Sequence, residues 1–290
     1  MKKLKITIFT PSYNRKKELK ALYNSLLKQD YSNFEWLIVD DGSVDDTQKY
    51  IKGLQKENKI NIKYVYKENG GKQSAYNLGI EKTDGDIFLC IDSDDILIDN
   101  VLKTIADDFE KIWSDNNIGG VIYLQSYIKN KKEIIGTKFP EDNKLENYFD
   151  IYHKLGVTGD KLIVLKASVA KMYKFPMYKR EKFVPEALIF NRISLKYKFK
   201  CRNYVAAAKE YLENGYSNNY FNLVKKNPLG NMLYFRELYD MEKNIYNIYG
   251  YILFGIYGKV KIKKMLQEHP NKMLILIMYI PVWCVAKIRK

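Results

Sequence analysis

Through the first 125 positions, short apolar runs alternate with longer amphipathic stretches. Leu4–Phe9, Phe34–Val39, Ile62–Tyr66, Ile87–Ile91 and Val121–Leu124 are rich in β-branched or aromatic residues, as buried strands are. Between them lie Arg15–Lys28, Asp45–Glu57, Gln73–Lys82 and Asn100–Trp113. In the first of these, Leu19, Leu22, Leu26 and Leu27 recur at the spacing of one helix face. Strands alternating with helices of this length predict an α/β fold, a mostly parallel sheet flanked by helices. Ligands of such sheets bind beyond the carboxyl ends of the strands. Chemistry is therefore expected just after Phe9, Val39, Tyr66 and Ile91.

The rhythm then changes. Residues 130–150 are polar and read as an excursion, and 151–258 are basic and tyrosine-rich. Pro185–Leu195 has a helical pattern there, and 217–258 is largely helical. The expected organisation is a first domain over 1–215, in two halves at 1–125 and 126–215. A helical region at 216–290 follows. Met273–Ala286 is apolar for 14 residues between Lys272 and the group Lys287, Arg289, Lys290. A spanning helix needs ~20 such residues. Tyr279 and Trp283 beside lysines suit an anchor at the membrane surface over 270–290. The alternative is a helix packed on the protein itself or on a second subunit in a homo-oligomer.

Charge sharpens this division. The chain carries 49 Lys and Arg against 34 Asp and Glu, a net +15. Residues 1–150 hold 23 basic and 25 acidic groups, whereas 151–290 hold 26 and 9. An acidic site in front and an anionic partner behind are implied. No nucleic-acid motif accompanies the charge, so nucleic acid is not expected as the partner. Cys90, Cys201 and Cys284 are too sparse for a disulfide framework or a structural zinc site. The basic N-terminus is followed by no h-region. The expected location is cytoplasmic, peripheral on the inner face of the membrane if the anchor operates.

All four strand ends carry polar clusters. Thr10-Pro-Ser-Tyr-Asn-Arg15, Asp40-Asp-Gly-Ser43, Asn69-Gly-Gly-Lys72 and Asp92-Ser-Asp-Asp95 follow the four strands in turn. Any one of them could be an ordinary turn; four at the ends of one sheet are less easily explained that way. Asp92 and Asp94, on alternate residues, are placed to point into the cleft. They concentrate negative charge that a hard divalent cation and a diphosphate would balance. Asp95 and Asp99 read instead as caps of the following helix. Asp41 can accept from a base N–H or a ribose hydroxyl. Gly70-Gly71-Lys72 opens a helix, a place suited to phosphate through backbone N–H groups and the lysine.

In order and spacing these segments, with Asn69-Gly-Gly-Lys-Gln-Ser-Ala-Tyr-Asn-Leu-Gly79 in full, resemble the motifs of family 2 glycosyltransferases. The resemblance implies the GT-A fold and transfer from a nucleotide-diphosphate sugar, a UDP-sugar, with inversion and with Mn2+ or Mg2+. It places Thr10, Pro11, Tyr13, Asp41, Lys72, Asp92 and Ser93 in the donor site and makes Asp94, with Asp92, the metal ligands. In the family a Glu-Asp pair opening a later helix supplies the general base. Here the matching stretch is Glu181-Lys-Phe-Val-Pro-Glu-Ala187, which makes Glu186 the first candidate, Glu181 the second and Asp160 the third. Gly159-Asp-Lys161 and Tyr211-Leu-Glu-Asn-Gly-Tyr-Ser217 resemble a subgroup that assembles bacterial surface polysaccharides. With no Gln-x-x-Arg-Trp motif, single-sugar transfer to a glycan or lipid-linked acceptor is expected. A non-catalytic nucleotide-sugar-binding scaffold at the membrane is the alternative.

Overall fold

A computed structural model describes residues 3–210 and 220–288. The Tyr211–Ser217 stretch, the expected boundary at 215/216, Arg289 and Lys290 lie outside the described residues. Ten strands run β1 Ile6–Ser12, β2 Phe34–Asp40, β3 Ile62–Tyr66, β4 Ile87–Cys90, β5 Ile96–Leu97, β6 Ile118–Tyr127, β7 Asn130–Ile134, β8 Leu145–Glu146, β9 Lys161–Lys166 and β10 Lys198–Lys209. The helices are α1 Lys16–Leu26, α2 Thr47–Glu57, α3 Lys72–Lys82, α4 Val101–Ile112, α5 Tyr148–His153, α6 Ala167–Ala170 and α7 Ala187–Ser194. Then come α8 Tyr220–Lys226, α9 Pro228–Met241, α10 Ile245–Tyr257, α11 Ile262–Glu268 and α12 Lys272–Ile288.

The chain divides into two compact units, 1–174 with 190–211 and 175–189 with 212–290. This differs from a single cut near 215. Residues 175–189 belong with the C-terminal helices because Glu181 and Lys182 bond to them: the Lys182 N–H donates to Asn227 Oδ1 at 2.7 Å.

The first unit is built on one sheet in the order β3-β2-β1-β4-β9-β6-β10-β5, with β7 on β6 and β8 on β10. Its β3-β2-β1-β4 half is parallel, as the alternation of strands and helices requires, and β10 lies parallel to β6. Strand β9 enters antiparallel between β4 and β6. The central strands are buried on both faces: Ile6, Ile8, Phe9, Leu37, Ile38 and Leu89 are fully covered. Helix α1 turns Leu19, Leu22, Tyr23 and Leu26 onto this sheet, and α4 does the same with Leu102, Ile105 and Phe109.

The second sheet half contains two strands that local pattern does not announce. Lys161–Lys166 and Lys198–Lys209 sit in the basic region and begin and end on lysines. Pairing with β6 makes them strands. Gly120 permits the close approach of β9, because a Cβ there would collide with the Val164 carbonyl. A buried charge cluster ties α4 to β10. Asp108, almost wholly buried, accepts from Lys200 Nζ at 3.1 Å, Arg202 Nε at 2.8 Å and the Tyr123 hydroxyl at 3.1 Å.

The second unit is a helical cluster around Tyr251, Ile252, Met265 and Ile275, with Val282 and Ala286 of α12 packed in. No described helix is long and apolar enough to cross a membrane.

Removing Asp108 takes the carboxylate from the buried Lys200 and one of two from the half-buried Arg202, which also pairs with Asp142, so Asp108→Ala is expected to lower stability by about 3 kcal/mol. Chemical denaturation of variant and parent measures this; a loss within experimental error of zero would show that the cluster does not hold α4.

Candidate active site

The carboxyl ends of β1, β2 and β4 and the start of α3 carry the polar segments singled out in the sequence. Two loops are joined first. The Asn14 N–H donates to Ser43 Oγ at 2.8 Å, and Asn14 Oδ1 accepts the Val44 N–H at 2.9 Å. Asp41 then clamps the segment before α3. Its carboxylate accepts the Gly70 N–H at 2.9 Å, the Gly71 N–H at 2.7 Å, Lys67 Nζ at 2.6 Å and Asn69 Nδ2 at 3.1 Å. Two glycines make the approach possible. Gly42 has φ +87 and a Cβ there would lie 2.8 Å from the Asn69 nitrogen, while Gly71 has φ +89.

These bonds give expected site groups partners within the protein. The Gly70 and Gly71 N–H groups are engaged by Asp41. Asp41 is buried with its oxygens held by protein donors, so it shapes the loop that carries Lys72. Thr10 is also turned inward: fully buried, it accepts the Trp36 indole N–H at 3.0 Å. Tyr13 is exposed and Pro11 half-buried.

The acidic turn after β4 alternates as its spacing suggests. Asp92 and Asp94 are half-buried; Ser93 and Asp95, which alternate with them, are buried. Asp95 and Asp99 do not cap a helix there. Ile96–Leu97 forms β5, and α4 starts only at Val101, after Asn100. Strand β5 pairs with the end of β10, Leu97 opposite Ala207 and Ile96 opposite Ala208. That register delivers Lys209 to the acidic turn, 3.8 Å from both Asp92 and Asp95 and 3.2 Å from Asp160. Lys72, from the first turn of α3, pairs with Asp92 at 2.5 Å.

These positions set the protonation balance. Burial works against ionisation of Asp92, but Lys72 and then Lys209 outweigh it and hold the carboxyl at about 2. Burial and the neighbouring Asp92 charge raise Asp94, and burial drives Asp95 well above the carboxylate range. Burial opposes the charge on Lys209, but Asp92, Asp95 and Asp160 raise it further.

Lys67 and Lys209 were not singled out in the sequence. Lys67, directly after β3, was visible as a basic residue at a strand end. Lys209 had no local signal, because β10 itself was not apparent.

A divalent cation fits part of this arrangement. Asp94 makes no ion pair among the described residues, and Asp95 Oδ1 is buried without a hydrogen-bond partner. No three His, Cys, Asp or Glu side chains among the described residues form a metal-holding group. Asp92 and Asp94 would supply two carboxylates, and the other ligands would come from a bound diphosphate and water.

The two glutamates lie in the second unit. Glu181 is half-buried, its oxygens accepting the Leu229 and Gly230 N–H groups at 2.8 and 3.1 Å in the first turn of α9. Burial raises its pKa against those two bonds. Glu186 is exposed, immediately before α7.

The α/β sheet, with an acidic turn at the carboxyl end of β4 and a lysine-bearing helix start beside it, has the GT-A fold. The chain belongs to glycosyl transferase family 2, whose family model matches residues 7–185. It is 25% identical over 173 residues to the GalNAc(5)-diNAcBac-PP-undecaprenol beta-1,3-glucosyltransferase of Campylobacter jejuni, covering 59% of this chain and 54% of that protein. It spans about half the length, or less, of the curated bacterial glycosyltransferases it matches. Its fold is shared with Staphylococcus aureus TarS 1-349 in complex with UDP-GlcNAc, at TM-score 0.63 and 18% identity, covering 96% of this chain and 79% of that one. The mannosyltransferase PcManGT from Pyrobaculum calidifontis, in complex with GDP-Man and Mn2+, aligns at TM-score 0.57 and 16% identity over 98% and 74%.

The raised pKa of Asp94 has a stability consequence. Its ionisation costs the folded state nothing below the unfolded carboxylate pKa and progressively more as pH rises through the folded value. Asp94→Asn is therefore expected to raise the thermal midpoint of the ligand-free protein at neutral pH, with the gain shrinking in mild acid. A lower midpoint at neutral pH would refute this balance.

Proposed function

We propose that this chain is an inverting, non-processive glycosyltransferase. It moves one sugar from a nucleotide-diphosphate sugar, a UDP-sugar, to a hydroxyl of a glycan or lipid-linked acceptor in bacterial surface-polysaccharide synthesis. The observation that carries the reading is the pair of half-buried carboxylates, Asp92 and Asp94, on alternate residues beside Lys72 in a family 2 chain. The UDP-sugar is favoured by the fold shared with the UDP-GlcNAc complex. The acceptor class is favoured by the undecaprenol in the name of the Campylobacter relative.

In this reading Pro11, Tyr13, Lys72 and Ser93 contact the donor, and Asp41 holds the loop that presents Lys72. Asp92 and Asp94 would hold Mn2+ or Mg2+, which would offset the charge of the departing diphosphate. Glu186 takes the proton from the acceptor hydroxyl. The acceptor oxygen forms its bond to the anomeric carbon as the bond to the diphosphate oxygen breaks, on opposite faces of the sugar, and the configuration inverts. Glu186 is preferred to Glu181 because it is exposed and follows Pro185 directly before α7.

A thermal-shift panel of nucleotide-diphosphate sugars with Mn2+ or Mg2+ tests the donor site, since a ligand bound to the folded state raises its midpoint. One donor class is expected to shift the parent and not Asp94→Asn; no shift with any donor would overturn the reading. Glu186→Gln is expected to keep the donor shift and to lose transfer by about 100-fold or more. If Glu181→Gln loses transfer instead and Glu186→Gln does not, Glu181 is the base.

A further inference from the structure

Helix α12 is apolar on both of its faces. Ile275, Val282 and Ala286 are buried in the second unit. The opposite side carries Met273, Leu276, Ile277, Ile280, Trp283 and Ile288, exposed at 69, 56, 62, 69, 43 and 85%. At 100° per residue these six fall within one continuous sector, a stripe running the length of the helix. A helix at an ordinary protein surface would place polar residues there, and contiguous apolar patches of this kind mark interaction sites.

The chemistry of the surroundings identifies the partner. From Lys259 to Ile288 the chain carries Lys259, Lys261, Lys263, Lys264, Lys272 and Lys287 against Glu268 alone; all six lysines are exposed. Lys287 lies over the Trp283 ring, 5.2 Å from its centroid. An indole edged by lysines at the margin of an apolar stripe suits the boundary between headgroups and acyl chains. The helix has 17 residues, about 26 Å, short of the ~30 Å hydrocarbon core. With one face committed to protein, it is suited to lie along a membrane.

We infer that the exposed face of α12 docks the protein on an anionic lipid bilayer. Its apolar row enters the acyl boundary, and the lysines of 259–287 meet the headgroups. The docking is independent of sugar transfer and is read without a donor or an acceptor.

Co-sedimentation of the full chain with phosphatidylcholine vesicles, with and without phosphatidylglycerol, tests it. Binding to the anionic vesicles is expected to exceed binding to the neutral ones by about tenfold or more and to fall with salt. Ile277→Glu with Ile280→Glu, both on the exposed face, is expected to abolish binding while leaving the thermal midpoint in place. Lys263→Glu is expected to weaken binding to anionic vesicles only. The inference is overturned if the parent stays in the supernatant, or if the double variant binds as the parent does. It is also overturned if light scattering shows a dimer that the double variant dissociates while vesicles bind neither form; a second copy of the chain then covers the face.

Discussion

Three carboxylates within four residues at the end of a buried strand require positive charge close by. The protein supplies it from two remote elements. Lys72 comes from the start of α3 and Lys209 from the end of β10, and together they hold Asp92 ionised. Much of the first unit follows from this arrangement. Helix α3 must begin beside β4, and β10 must run far enough to pair with β5. The lysines offset Asp92 and Asp95 and leave Asp94 without an ion pair among the described residues. The turn is thus stable enough to fold and retains a carboxylate with capacity for a cation.

The loops around that turn are set by side-chain-to-backbone bonds. Asp41 gathers the Gly70 and Gly71 N–H groups, Lys67 and Asn69. Asn14 bridges to Ser43 and Val44. Such support fixes the groups expected to meet a ligand before it arrives and limits the ordering that binding would require. It also separates two kinds of polar residue that look alike in a sequence. Asp41 and Thr10 are buried and satisfied by protein partners, whereas Asp92, Asp94 and Lys72 remain partly open to a ligand.

The charge asymmetry resolves into two physical situations. In the first half acidic and basic groups nearly balance, and the acidic turn draws on Lys72 from that half and on Lys209 from the second. In the second half the lysines between 259 and 287 surround a helix whose outer face is apolar. Positive charge beside exposed hydrophobic surface has a different meaning from positive charge alone: a nucleic acid would use only the charge, and a lipid surface would use both.

The chain's local rhythm was enough to place β1–β4, β6 and α1–α4 within a few residues, because period-2 and period-3.6 burial is written in neighbouring side chains. The order of the polar clusters likewise placed Lys72, Asp92 and Asp94 at strand ends of one sheet. Other features depended on partners distant in the chain. Strands β9 and β10 exist because β6 pairs with them, and Lys209 reaches the acidic turn because Ala207 faces Leu97 across β10 and β5. Glu181 became a partner of α9 when residues 175–189 packed with the C-terminal helices. Local periodicity thus determined which residues form the parallel half-sheet and the acidic turn. Only tertiary pairing decided which cations balance that turn, because a charge's partner is chosen by proximity in space and not along the chain.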